Sequence, residues 1–434
     1  MSYHQRRPRG AMKLAAGSLA IAALVLAGCS GAPRTAAAQA SSDDPGIIET
    51  AGPTPDKSEI KIGIGTAMTG PPSSAYVGVA PAAEAWATWV NRTQGGINGH
   101  PVTIVAKDTK SEGATTRAVG TEMVADPAVL AMIIADSQAE ASMAPVLGPA
   151  NMPVVGGSTA ISSVQGVQPN YFTLGPMVAY YLPGVMQTAK AVDAKEFAAF
   201  VCAESPACQE VSDVYTKASS SIGVDYTGTY AVAASSPDFT APCLSAIEKK
   251  TDFMTLVLGP ATAVRVVNDC QAQGYSGTFG AASQAVVAPL FEKIPGLKLA
   301  GAINGFPWWA DAEPVQQFRN VMKTYLPGTG YADGVWRNPS ATNVWASLEL
   351  FRKTMGSMSD APTRDEVTAA YHRLNGETLG GLLSQPVSFP AGSPAPHVKC
   401  YWAYKLENGQ FSTVAPSGAP GNRVSGDLAS TCRD

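Results

Sequence analysis

The chain has 434 residues, 45% of them hydrophobic and 15% charged, with 30 Lys and Arg against 34 Asp and Glu. That length suffices for two domains, each with its own core. The slightly acidic balance argues against nucleic acid as a partner.

Arg6, Arg7, Arg9 and Lys13 precede an uncharged apolar run, Leu14 to Leu26, ending in Leu26-Ala27-Gly28-Cys29. This is the layout of an export signal over residues 1–28, and the run is shorter than the roughly 20 residues a membrane span needs. Small residues before a cysteine resemble the lipobox of bacterial lipoproteins, which implies lipid attachment at Cys29 and an extracytoplasmic protein anchored to the cell membrane. No hydrophobic pair follows Arg6-Arg7, so general secretion is expected, not twin-arginine export. Without the signal, 26 basic residues face 34 acidic ones, a formal charge of −8, and no polybasic segment suits anionic lipid. Residues 29–58, rich in Ala, Pro, Ser and Asp without apolar periodicity, read as a flexible tether reaching on the order of 30 Å.

From Glu59 short apolar runs alternate with amphipathic stretches. Ile60 to Ile64 reads as a strand, and Ala82, Ala85, Trp86, Trp89 and Val90 share a helical face, which makes both tryptophans core residues. A strand at Val102 to Ala106, a helix over Gly113 to Ala125 and the unbroken apolar run Val129 to Ala135 follow. Such a run belongs inside a parallel sheet covered on both faces. A further helix and a strand at Pro153 to Val155 complete a doubly wound unit. Strands at Phe197 to Val201, Tyr226 to Val232, Phe253 to Leu258 and Thr278 to Ala281 build a second lobe of the same α/β class. Helices are expected at Val315 to Tyr325, Asn343 to Met355 and Arg364 to Leu374, then a last strand at Lys399 to Leu406 and a loosely ordered tail, residues 416–434.

With Cys29 assigned to lipid, Cys202, Cys208, Cys243, Cys270, Cys400 and Cys432 remain. An even number in an exported chain reads as disulfides. Fifteen connectivities are open, and we expect pairing in sequence order. A metal site is disfavoured because there is no C-x-x-C and His100, His372 and His397 lie in unrelated segments. No cofactor is implied.

Ile60-Lys61-Ile62-Gly63-Ile64-Gly65-Thr66-Ala67-Met68-Thr69-Gly70-Pro71, then Gly95-Gly96-Ile97-Asn98-Gly99 before a strand and Lys107-Asp108 after it, resemble the opening of periplasmic binding proteins of the branched-chain amino-acid (leucine/isoleucine/valine) type. In element order the resemblance covers residues 59–410. It implies two doubly wound parallel-sheet lobes joined by three crossovers, residues 59–174 with 305–395 and residues 175–304 with 396–415. It also implies a monomer that binds a small solute in the interlobe cleft and partners the permease and ATPase of an ABC importer.

Residue by residue, the resemblance places Tyr76 at the cleft rim and Ser137, with its neighbour Gln138, at the strand end that holds a ligand carboxylate. Ser158 and Thr159 would complete that site. Short hydroxyls beside backbone amides suit an anion, and each serine alone reads equally as a helix N-cap. In the second lobe Ser283 stands where the family's amino-acid binders have a carboxylate for the ligand ammonium; Asp252 or Glu204 are the alternatives. A buried ammonium without a counter-charge is costly, so an ordinary amino acid is a poorer candidate. Phe306, Trp308 and Trp309, just past the second crossover, either wall an apolar ligand or pack as core. Together these features suggest an amino-acid-like, amide or apolar or aromatic carboxylate solute.

Two rival functions differ in class. An exported hydrolase lacks support, because Gly156-Gly157-Ser158 is no G-x-S-x-G elbow and no phosphate loop occurs at a strand-to-helix junction. A ligand sensor of the same fold would need a separate signalling chain. Both rank below a non-enzymatic transport role.

Overall fold

A computed structural model describes residues 51–157, 164, 166–204, 208, 211–415 and 426–433. The export signal, Cys29, most of the expected tether, Ser158 and Thr159 lie outside these residues.

The first sheet is parallel, in the order β2-β1-β3-β4-β5. It takes β1 Ile60–Thr66, β2 Val102–Asp108, β3 Val129–Ile134, β4 Val154–Gly157 and β5 Tyr171–Phe172. Between them run α1 Val79–Thr93, α2 Gly113–Ala125 and α3 Glu140–Leu147. Every residue of β3 is buried, as its unbroken apolar run demands. Ile62, Ile64, Ala131 and Ile133 pack with Trp86 and Trp89 of α1, while Met132, Ile134 and Val154 pack with Met123 and Met143 of α2 and α3.

After β5 the chain crosses to α4 Val178–Ala191, which packs on the second sheet. That sheet holds β6 Glu196–Cys202, β7 Asp225–Val232, β8 Phe253–Val257, β9 Thr278–Ala282 and β10 Leu299–Ile303, all parallel neighbours. Helices α5 Val211–Ile222, α6 Thr240–Glu248, α7 Pro260–Ala272 and the short α8 Ala288–Phe291 connect them. The chain then returns to the first lobe as α9 Glu313–Tyr325, the single turn α10 Gly330–Asp333, α11 Pro339–Thr354 and α12 Arg364–His372. There α9 and α11 pack on α1, and α12 packs on β3. A third passage leads to β11 Cys400–Glu407 and β12 Gln410–Thr413, antiparallel additions to the second sheet, and β13 Thr431–Cys432, which pairs with β11.

Three expectations need correction. The end of the expected tether is pinned: Gly52 N donates to Arg92 O at 2.8 Å, Asp56 and Lys57 N donate to Gly99 O, and Lys57 pairs with Asp360 at 2.8 Å. Backbone donors, invisible to periodicity, hold it. The tail is not loose throughout, because Cys432 is bonded to Cys400, Leu428 is 3% exposed and Leu428 O accepts from Trp402 Nε1 at 3.1 Å. Finally, α11 begins at Pro339, four residues before the expected start. Asn338 caps it by accepting from Ala341 N at 2.9 Å, with proline at the first helical position.

The disulfides pair in sequence order, Cys202–Cys208, Cys243–Cys270 and Cys400–Cys432. All three join elements of the second lobe and none crosses between lobes.

Candidate functional site

Register decides where the strands end together. In the first sheet Thr66 lies beside Asp108 and Gly65 beside Ile134, so β1, β2 and β3 finish on one edge. In the second, Leu256 lies beside Ala281 and Ala282 beside Ala302, so β8, β9 and β10 do the same. The 3-10 turn Ser283–Ala285 after β9 meets α11, and α7 meets the 3-10 turn Pro71–Ala75 after β1. The carboxyl edges of both sheets therefore share one junction, the crevice in which open α/β sheets hold ligands.

On the first-lobe side, Tyr76 is 6% exposed and its phenol oxygen accepts from Ser137 N at 3.2 Å while lying 3.1 Å from Ser137 Oγ. Burial, and then the charge of Asp136, push that phenol well above its ordinary titration range. Gln138 is exposed, and its backbone N–H donates to Asp136 Oδ1 at 3.0 Å. Asp136 is fully buried and also accepts from Thr109 Oγ1 at 2.5 Å and Ser111 Oγ at 2.8 Å. Glu140, one turn on, is equally buried. The strand end expected to receive a carboxylate thus already spends Ser137's amide on Tyr76 and carries two buried carboxylates. Coulomb repulsion opposes an anion at such a wall.

Gly156 and Gly157 end β4 with φ of 74° and 92°. A Cβ on Gly156 would meet Ser347 Oγ at 2.1 Å, and Gly157 N donates to that oxygen at 3.1 Å. Only glycine permits this approach of β4 to α11.

On the second-lobe side, Ser283 is 1% exposed, adopts the left-handed conformation at φ 48°, and its Oγ has no hydrogen-bond partner. A non-glycine residue held there is strained. Neither alternative carboxylate supplies a counter-charge beside it. Asp252 lies at the opposite edge, where it accepts from Lys195 N and Glu196 N, and Glu204 is taken up by Ala234 N at 2.6 Å.

The aromatic residues past β10 are packed. Phe306 is fully buried edge-on to Phe318 at 5.3 Å, and Trp308, 4% exposed, stands edge-on to Phe411 at 5.1 Å. Trp309 stacks on Phe411 at 5.3 Å and donates from Nε1 to Thr413 Oγ1 at 3.0 Å. The ring that occupies both tryptophans sits on β12, a strand that the sequence reading did not include, so the ligand-wall reading gives way to core packing.

Residues absent from the sequence reading complete the junction. Asn304, Ser340 and Asn343, with Ala135, Gln284 and Val344, line a cavity of ≈10 Å³ between the lobes. A larger recess of ≈690 Å³ lies at the other end of the first sheet, beside Ile60, Leu130 and Arg364, away from the strand ends. Among the described residues no three His, Cys, Asp or Glu side chains gather as a metal site, and no helix is long and apolar enough to cross a membrane.

Residues 59–410 match the family model described as periplasmic binding protein. The chain belongs to that family. No curated protein sequence matches it significantly, but solved structures share its fold. A fatty acid ABC transporter substrate-binding protein from Thermomonospora curvata aligns at 17% identity and TM-score 0.67, over 85% of this chain and 94% of that one. A branched-chain amino acid transporter substrate-binding protein from Streptococcus pneumoniae, in complex with isoleucine, aligns at 18% and 0.66, over 82% and 100%. A branched chain amino acid ABC transporter from Thermus thermophilus with bound valine aligns at 16% and 0.67, over 82% and 96%. At these identities the likeness is one of fold, and the fold hosts more than one solute class.

Proposed function

We propose that this periplasmic binding protein is the solute-binding component of an ABC importer: it captures one small molecule between its lobes and delivers it to a membrane permease, without chemical turnover. The observation that carries the reading is the meeting of both sheets' carboxyl edges at a buried polar junction, where Gln284 and Asn304 from the second lobe face Ala135, Ser340 and Asn343 from the first. A solute touching both sides binds the closed form better than the open one, and closure follows as a population shift. The lobes are residues 59–174 with 305–395 and residues 175–304 with 396–415, and Cys29 anchors the mature chain to the cell membrane by lipid. The solved structures that share its fold, which include fatty-acid and branched-chain amino acid transporter proteins, support transport over sensing.

The test is a thermal-shift and calorimetric screen of the mature chain over amino acids, amides, alcohols and apolar acids, followed by reconstitution with the permease and ATPase of the same operon. A solute that raises the melting temperature by mass action and stimulates the reconstituted ATPase is expected. A chain that hydrolyses its ligand, or that leaves the ATPase unmoved when loaded, would defeat the proposal.

A further inference from the structure

Three polar atoms at the lobe junction are buried without a hydrogen-bond partner: Ser283 Oγ, Asn304 Oδ1 and Asn343 Oδ1. Their residues are 1%, 4% and 6% exposed. They arrive from three distant stretches of chain, the turn after β9, the residue after β10 and the second turn of α11. Asn304 and Asn343 open onto the ≈10 Å³ cavity, a space for one group about the size of a water molecule. Buried polar groups are normally paired, and each exception calls for an absent partner. Packing alone would be served better by aliphatic residues, such as Val344 in the same wall.

The lining also fixes the charge of what enters. It contains no Lys, Arg or His, so nothing offsets an anion. It contains no Asp or Glu either, so nothing in the wall pairs with an ammonium. Side-chain amides and hydroxyls, by contrast, can both donate and accept, and an amide can turn to present either end.

Building on the solute-capture reading above, we propose that this cavity is the subsite for one uncharged polar atom at the end of the solute, the NH2 nitrogen of a carboxamide or a hydroxyl oxygen, the rest of the solute lying outside it between the lobes. An ordered water would satisfy the same atoms in the empty protein and be displaced on binding.

Matched probes on the intact mature chain test this: isovaleramide, 3-methylbutanol, isovalerate and isopentylamine, with benzamide, benzyl alcohol, benzoate and benzylamine as a second body. The amide or alcohol of at least one body should raise the melting temperature in a dose-dependent way, and the matching carboxylate and amine should not. Asn343→Leu should weaken the responding probe by about tenfold or more without lowering the unliganded melting temperature. Should Asn343→Leu fail to fold, the isosteric Asn343→Asp should shift preference toward the amine. Binding of carboxylate or amine equal to that of the amide, or unchanged amide affinity in a folded Asn343 variant, would mean that water alone fills the cavity; it would overturn this inference and leave solute capture standing. Silence from every probe would overturn this inference too, while solute capture stays subject to the wider screen above.

Discussion

Removing the Tyr76 hydroxyl tests the first-lobe wall. Tyr76→Phe keeps the ring packed but takes away the atom that accepts from Ser137 N at 3.2 Å and lies 3.1 Å from Ser137 Oγ. A net hydrogen bond contributes about 1 kcal/mol, and orphaning a buried donor costs about 1–3. Ser137 is only half-buried, so water can reach its amide, which places the expected loss in the lower half of that range, about 1–2 kcal/mol. Urea unfolding of Tyr76→Phe, Ser137→Ala and the double variant closes a cycle. The two hydroxyls should couple by about 0.5–1 kcal/mol, because the double variant loses their shared contact once. The single Tyr76 variant should also cost more than the Ser137 one, since it alone frees the amide. Additive losses, or a Tyr76→Phe cost below about 0.3 kcal/mol, would refute the claim that the phenol occupies this strand end and so leaves no room for an anion.

Ser283→Gly should stabilise the unliganded protein by up to about 1 kcal/mol in urea, since glycine carries no penalty at φ 48° and the unpartnered hydroxyl disappears; destabilisation would contradict the strain. Replacing Cys243 and Cys270 with serine opens a bridge of sequence separation 27 and should cost about 3.5 kcal/mol by loop entropy, while solute affinity stays unchanged because the bridge lies in one lobe. Stability should also fall in acid. Lys61 and the Ala128 amide hold Asp126 below its ordinary pKa, and Lys57 does the same for Asp360. Groups depressed in the folded state contribute stability above their unfolded pKa of about 3.9 and lose it as pH drops through the folded value. The melting temperature should therefore be level from pH 7 to about 5 and decline below about 4, which scanning calorimetry reads directly. Cys29→Ala should move the protein from the membrane fraction to the supernatant, and retention in the membrane would count against the lipid anchor.

What the sequence disclosed and what it hid follow from physics. The unbroken run of β3 and the helical face of Trp86 and Trp89 announced a covered parallel sheet because burial acts residue by residue. Short edge strands did not announce themselves. Gln410–Thr413 carries little apolar pattern, yet it brings the Phe411 ring that takes up Trp308 and Trp309. The motif Gly95-Gly96-Ile97-Asn98-Gly99, which carried much of the family resemblance, is scaffold. Its Gly99 carbonyl pins residues 56 and 57, and Asn98 Nδ2 donates to Met358 O at 2.6 Å. Tyr76 and Ser137 were found at the strand ends, but their mutual bond could not be read from spacing 61 residues apart. Asn304 and Asn343 escaped notice because lone asparagines beside a strand end or within a helix look like ordinary surface residues. Only the tertiary meeting of β3, β9, β10 and α11 buries them together.

Solute-driven closure is tested most directly by the distance between the lobes. Non-cysteine spin labels at Glu122 on α2 and Lys217 on α5, both exposed and on opposite lobes, report that distance by pulsed resonance with the native disulfides intact. A solute that raises the melting temperature should convert a broad or bimodal distribution into a single narrow one, with Ser283→Gly and Asn343→Leu blunting the change. A distribution indifferent to such a solute at saturation would contradict capture between two closing lobes.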